Sequence, residues 1–546
     1  MFTTSFLPFD MKMNKALLLL GNVLAGTAFI VLQSKDIFPL QTDLFLFFAF
    51  VLFLFALYRP GWTFLLFIGM LPFETIEFAR FDGSLSLRPY QLLAVVLVFS
   101  LLCRMILKKL PFKLFRIEWF DFFPLIITAG AFAAALFSPF RGESLKQAFV
   151  VGSFVVLYFL GRVFFRTLPD IRQALPFLLS SSLVVICFSV WQNVNFIAGR
   201  ESFEIMAGRP NATFTEADWL GLFILFTLTV IWALLLGRVN RYTMLMGFFK
   251  KAKSMVTDPF LWGVFLLETG AFIALLIVVS RSAWLGVLVG FIAVFGLVTF
   301  SRGASAKENF LQQSYWMGHM TLKSFILAFA IIWFFHLTTF DLFQRAASTA
   351  HGLQKITVSC ERDVVLPYKI GNTNELPLYG CRHIDLEERD QERAAGRIVK
   401  EIYRDDPNVS IRKSTYGEVW KLVAFHPVSG IGWGTITNFL GTDERGAGLN
   451  ASNMFLEVWL GSGFVGFLAF VAWWICIFIA SIRGFFFSES VGEKAFAVFL
   501  IAGWAGMSVF NFFNSGILLS FFFVFLALGS LQIEREWRML FKKSTL

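Results

Sequence analysis

The sequence predicts an all-α polytopic membrane protein of about 12–14 transmembrane helices, with one long outer-side loop that is partly helical. Three observations carry that prediction. Hydrophobic residues make up 57% of the chain and charged residues only 15%, where a soluble domain holds roughly 25% charged residues. Apolar runs long enough to cross a bilayer recur along the chain and give way at length only between Asp341 and Asn453. The net charge of +10 sits in short clusters between those runs, the pattern of cytoplasmic loops and not of a nucleic-acid surface.

Taken in order, the apolar stretches are 15–32, 43–58, 61–79, 89–107, 122–138, 147–165, 174–197, 218–236, 260–280, 282–300, 322–340, 455–480, 494–512 and 514–533. The third is interrupted by Pro72, Glu74 and Glu77, which suits a re-entrant or tilted element. Met1–Asp10 lacks a basic start, and 16–32 lacks a small-residue cleavage site, so no cleavable signal peptide is expected.

The connections test the count. Basic residues gather at Arg59, Arg104–Arg116, Arg162–Arg172, Arg238–Lys253, Arg302–Lys307, Arg483–Lys494 and Arg535–Lys543. The alternate connections, including Glu74–Asp82 and Arg200–Asp218, are acidic or mixed. The positive-inside rule then puts both termini in the cytoplasm of a multi-pass inner-membrane protein and the long loop outside. The division expected is a helical bundle over 1–340, the outer loop over 341–454, and C-terminal helices with a cytoplasmic tail over 455–546.

Within the loop, Asp385–Arg404 is rich in helix formers with Glu and Arg at helical spacing, so a solvated surface helix is expected there. Tyr416–Ala424 places Val419, Trp420, Leu422 and Val423 mainly on one helical face, an amphipathic pattern that suits the membrane interface, and His426-Pro427 should stop that helix. Cys360 and Cys381 both fall in the loop, where an oxidising compartment permits a structural disulfide. Zinc is disfavoured, because His383 is near but a fourth ligand at normal spacing is missing. No metal and no cofactor is expected.

Polar residues at the outer ends of spans are the candidates for chemistry. Arg209 precedes the eighth span together with Glu216 and Asp218; Arg281 stands in Ser280-Arg281-Ser282 between two spans. Arginine at membrane depth is expensive and has a partner or a cavity. Converging guanidinium groups would grip an anionic diphosphate, whereas isolated ones snorkel to headgroups. Glu268 lies mid-span, where a buried functional carboxylate and a helix–helix hydrogen bond are both admissible. His426 could act as a general base, or could cap and pack before the glycine turn Gly430–Gly434, which is the favoured reading.

Four motifs together resemble the O-antigen ligase and polymerase superfamily. Phe425-His426-Pro427-Val428-Ser429-Gly430-Ile431-Gly432-Trp433-Gly434 is similar to its hPlfGvGpG element, and Ser452–Gly463 to its HNxxLexlaetG element. Gly208–Phe214 resembles its RatGtF stretch, and Ser280-Arg281-Ser282 its SRga element. The resemblance implies inverting transfer from an undecaprenyl-diphosphate-linked glycan to a glycan, lipid or protein hydroxyl, with Arg209 and Arg281 holding the donor diphosphate. Ser452 stands where that family has histidine, and serine is no base near neutral pH. The base then falls to Glu216, Asp218, Glu457 or His426, or to water. An anion transporter and a catalytically inactive member are the competing expectations.

Overall fold

A computed structural model describes the chain except residues 1–11, 82–84, 111–114, 207, 244–257, 301–303, 341, 344, 346–352, 372, 385–388, 406, 443–447, 489 and 545–546. Two compact units emerge: Met1–Thr339 with Phe425–Leu546, and the insert Phe340–Ala424. Residues 425–454, which include the glycine motif and Ser452, belong with the helical unit.

The helical unit opens with α1 (Lys12–Gln33), α2 (Thr42–Tyr58) and α3 (Pro60–Met70), then a hairpin of β1 (Ala79–Phe81) and β2 (Leu85–Leu87). It continues with α4 (Pro89–Ile106), α5 (Phe122–Phe137), α6 (Arg141–Phe164), α7 (Leu168–Ile197), α8 (Ala217–Thr243), α9 (Pro259–Ile277), α10 (Arg281–Phe300) and α11 (Ala304–Phe335). After the insert come α14 (Ile436–Leu440), α15 (Met454–Phe487), α16 (Val491–Asn511) and α17 (Ser520–Ser544). Among the described residues ten helices are long and apolar enough to cross a membrane, and α2, α3 and the Arg281–Leu297 part of α10 are shorter apolar helices. The chain is a multi-pass membrane protein. Its helix ends follow local chemistry: Pro60 and Pro259 start α3 and α9, and the Asp258 carboxylate accepts the Phe260 N–H.

The third apolar stretch, expected over 61–79, is helical only to Met70. Pro72 and Glu74 then turn the chain, and backbone from other segments takes over the hydrogen bonds the helix abandons. Thr213 O accepts from both Glu74 N and Thr75 N, each at 3.0 Å. The element is a broken helix. Interior polar groups elsewhere are paired in the same way. Glu268 of α9 is fully buried and accepts from Trp232 Nε1 (3.1 Å) of α8 and from Thr321 Oγ1 (2.7 Å) and Ser324 Oγ (3.0 Å) of α11. Those neutral donors make it a tie between three helices.

One end of the bundle gathers the turns 71–88, 198–216, 278–280 and 512–519 and both chain crossings to the insert. At the other, the described cations of the basic connections hold nearby groups. Arg162 donates to Asp121 (3.0 Å) and pairs with Glu534 (2.9 Å), Arg238 pairs with Asp258 (3.0 Å), and Arg535 pairs with Glu493.

The insert holds a feature the composition of the loop concealed. β3 (Leu353–Cys360), β4 (Lys369–Ile370), β5 (Cys381–Ile384) and β6 (Ile398–Asp405) form a sheet in the order β4-β6-β3-β5. β3 is antiparallel to β5 and β6, while β4 runs parallel to β6. The single helix expected over Asp385–Arg404 is therefore corrected. Residues 385–388 lie outside the described residues; among the described ones only α12 (Arg389–Ala394) is helical, Gly396 takes φ +79°, and the chain becomes β6. Ile402 faces Ile356 across the ladder and joins Val358, Ile370 and Leu376 in a small core, so packing overrides the helix propensity of the Glu/Arg run.

Helix α13 (Pro407–Phe425) stops just before His426-Pro427. Thr415, Val419 and Val423 share its buried face, and Trp420 is exposed. Cys360 and Cys381 stand opposite each other in β3 and β5 and form a disulfide.

That bond closes a loop with a sequence separation of 21. Replacing both cysteines by alanine should destabilise the insert by roughly 3 kcal/mol. Amide exchange should quicken in β3 and β5 while the transmembrane helices exchange as before.

Candidate functional site

Three of the resembling motifs meet at the insert-bearing end of the helical unit, and side chains join them. Arg209 is largely buried; its Nε donates to Val278 O at 3.1 Å and its Nη2 meets Asp218 Oδ1 at 3.1 Å. Val278 lies three residues before Arg281, the first residue of α10. Next to it, Ser282 Oγ accepts from Asn514 Nδ2 at 2.7 Å and lies 3.2 Å from Ser280 Oγ. Two residues from Asn514, Phe512 O accepts from Asn453 Nδ2 at 3.3 Å. The turns carrying Arg209, Arg281 and Ser452-Asn453 are thus linked through the 512–514 turn.

Each of these turns holds a left-handed residue other than glycine: Ala212 at φ +47°, Val279 at φ +55° and Ser452 at φ +47°. A β-branched residue such as valine adopts that region only where its surroundings compel it. Strain of this kind, of order 1–3 kcal/mol at each residue, collects where side chains must be held in set positions. Here the compulsion is visible. Gln192 Oε1 accepts the Ala212 N–H at 2.7 Å, Arg209 holds the carbonyl before Val279, and Asn450 Oδ1 accepts the Ser452 N–H at 2.8 Å.

Each expected site residue has a definite place. Glu216 stands just ahead of α8, two residues from Asp218. Its side chain is exposed by surface area, yet the surrounding protein still desolvates the carboxyl enough to push it above the ordinary range. The Asp218 carboxylate adds to that rise and Arg209 opposes it. Asp218 itself is committed to Arg209. Ser452 Oγ donates to Asn450 Oδ1 at 3.2 Å, and Asn453 caps α15 by accepting from Phe455 N and Leu456 N. Glu457, half-buried in the first turn of α15, accepts the Ala451 N–H at 3.3 Å and braces the same turn.

His426 is placed differently. Its carbonyl accepts from Gly430 N at 3.1 Å, and the glycine motif that follows docks onto a break in α15. Gly463 interrupts that helix at φ +68°, freeing Leu460 O to accept from Ile431 N and Gly432 N. In return Val428 O accepts from Phe464 N. A Cβ on Gly430 would lie 2.4 Å from Leu460 O, and one on Gly463 would lie 2.4 Å from Val428 O, so only glycine fits either side. The hPlfGvGpG-like element is a backbone clasp. Glu268 is nine residues before the end of α9, about 13 Å deeper than the Val278 turn.

The residue that sequence reasoning passed over is Glu74. Its Oε1 accepts from Ser520 N at 2.8 Å, and its Oε2 accepts from Tyr90 Oη at 2.7 Å and pairs with Arg88. With Thr213 Oγ1 donating to Pro72 O (2.5 Å) and Ser520 Oγ to Leu71 O (2.7 Å), it fastens the Arg209–Phe214 turn to α3, α4 and α17. The available signal was a carboxylate inside an apolar run, followed fourteen residues later by an arginine.

Fold and site together define a multi-pass membrane protein with arginines and carboxylates assembled at one end of its bundle. Residues 269–471 match the family model for O-antigen ligase, and over these residues the chain is O-antigen ligase-like. The match begins one residue after Glu268 and takes in Arg281, the insert, the glycine clasp and Ser452–Glu457; Arg209 and Glu216 lie before it. No curated protein and no solved structure matches the chain.

Glu74→Ala should leave Arg88, Tyr90 and the Ser520 N–H without their acceptor and cost about 3 kcal/mol. Thermal unfolding in detergent reads the loss, and cleavage within 206–216 by added protease should rise as that turn loosens.

Proposed function

We propose that this protein transfers or polymerises a glycan from an undecaprenyl-diphosphate-linked donor to a hydroxyl acceptor at the outer face of the cytoplasmic membrane. The observation that carries this reading is the Arg209 bridge, which ties Asp218 and the Glu216 segment to the turn that launches Arg281. The O-antigen ligase match over 269–471 supports it independently. Sidedness rests on the basic clusters at the opposite end of the bundle, which the positive-inside rule assigns to the cytoplasm.

Arg209 and Arg281 stand at the ends of spans, where a lipid diphosphate in the adjoining leaflet would present its charge. Arg209 is braced by Val278 and Asp218, so its role is to hold the turn and add positive potential. Arg281 opens α10 and faces the developing charge of the leaving diphosphate. The acceptor hydroxyl oxygen bonds to the anomeric carbon from the side opposite the diphosphate. The bond from that carbon to the diphosphate oxygen breaks, and its electron pair leaves with the diphosphate. The hydroxyl proton passes to the Glu216 carboxylate, whose raised pKa makes it a better base than an ordinary surface glutamate. Ser452 keeps its turn function without acting as a base, which resolves the departure from the family histidine.

Arg281→Ala should lower transfer by purified protein from a polyprenyl-diphosphate glycan by on the order of 10²–10³ in protein that still folds. Full activity of that variant would refute the diphosphate role. Glu216 must be ionised to take a proton, so the rate should climb with pH through a limb above the ordinary carboxylate range. Glu216→Gln should remove that limb and most of the rate.

A further inference from the structure

A second site lies at the other end of the same helical unit. A cavity of about 430 Å³ opens among α3, α7, α8, α16 and α17, a size at which pockets of roughly 300–1,000 Å³ take small ligands. Its walls are hydrocarbon and aromatic, with Leu178, Phe226, Leu234, Phe499 and Leu528 among them. Water in such a space would find too few hydrogen-bond partners to be held. From Phe226 to Arg238 the α8 wall rises roughly 18 Å, against roughly 15 Å of hydrocarbon in one leaflet. The cavity therefore runs from the basic end of the bundle to about the bilayer midplane.

Its mouth is charged. Arg238 borders it, paired with Asp258 and lying over the Phe260 ring at 5.4 Å. Arg172 borders it from α7, exposed, with its guanidinium against Gly492, where an added Cβ would come within 2.5 Å. One carboxylate against two guanidinium groups leaves the rim positive.

We propose that this cavity binds an anionic phospholipid from the leaflet on the basic side, with one acyl chain between the helices and the phosphate on Arg172. Depth, apolar walls and the excess positive charge each meet one part of that molecule. Its charged mouth lies at the end opposite the proposed transfer centre, its apolar depth reaches Leu71 beneath the Glu74 network, and the assignment does not rest on the transfer reading.

Native mass spectrometry of delipidated, detergent-purified protein tests the assignment, with phosphatidylglycerol, phosphatidylcholine of the same chains and a polyprenyl monophosphate added in turn. Phosphatidylglycerol should be retained at about fivefold lower concentration than phosphatidylcholine, the preference expected from roughly 1 kcal/mol per surface arginine. Arg172→Gln should erase that preference, and Leu234→Trp, which fills the cavity, should abolish retention. Equal retention of the two phospholipids, or an unchanged preference in Arg172→Gln, would overturn the proposal. Stronger retention of the polyprenyl phosphate would overturn the choice of lipid. Arg172 is exposed, so its variant decides the matter even if Leu234→Trp fails to fold.

Discussion

The architecture of the site depends on one constraint: backbone groups released from helices inside an apolar bundle must find partners there. Three breaks occur at its insert-bearing end, and each is closed from a distant part of the chain. Where α3 stops at Met70, Thr213 and Ser520 take its exposed groups. The carbonyl freed at Val278 goes to Arg209. The break at Gly463 is filled by the 428–432 turn, and the start of α15 is capped by Asn453. Satisfying the breaks is what brings the polar side chains together.

This explains why the arginines occupy ordered places in a fold with so few charged residues. Arg209 does two jobs through one guanidinium, since it completes a carbonyl and pairs with a carboxylate. Glu74 acts similarly from beneath the turn, gathering donors from α4 and α17. Chemistry that leaves charge on a diphosphate benefits from cations that need no rearrangement during the reaction. A network whose members already hold one another meets that need.

Much of this was legible in the sequence. Long apolar runs have few alternatives in hydrocarbon, so the stretches picked out by composition fall on helices, and the polar interruption at Pro72–Glu77 marks where α3 gives out. The motif segments around Arg209, Arg281 and Ser452 do lie at one end of the bundle. What escaped depended on contacts far apart in the chain. The Glu/Arg-rich run before Asp405 carries helix propensity, yet Ile402 was needed opposite Ile356, which only tertiary pairing reveals. Asn514 and Glu74 gain meaning from Ser282 and Ser520, residues hundreds of positions away. His426 belongs to a glycine clasp whose partner, the break at Gly463, is invisible in a run of apolar letters.

The central claim is that the turns bearing Arg209, Arg281 and Ser452 together receive a lipid-linked diphosphate. A polyprenyl diphosphate carrying a photoreactive group beside its phosphates, irradiated with the purified protein and mapped by mass spectrometry, tests it most directly. Crosslinks should fall within 206–218, 278–284 and 450–457 and should diminish in Arg281→Ala. Crosslinks confined to the opposite end of the bundle, near Arg172 and Arg238, would contradict the claim.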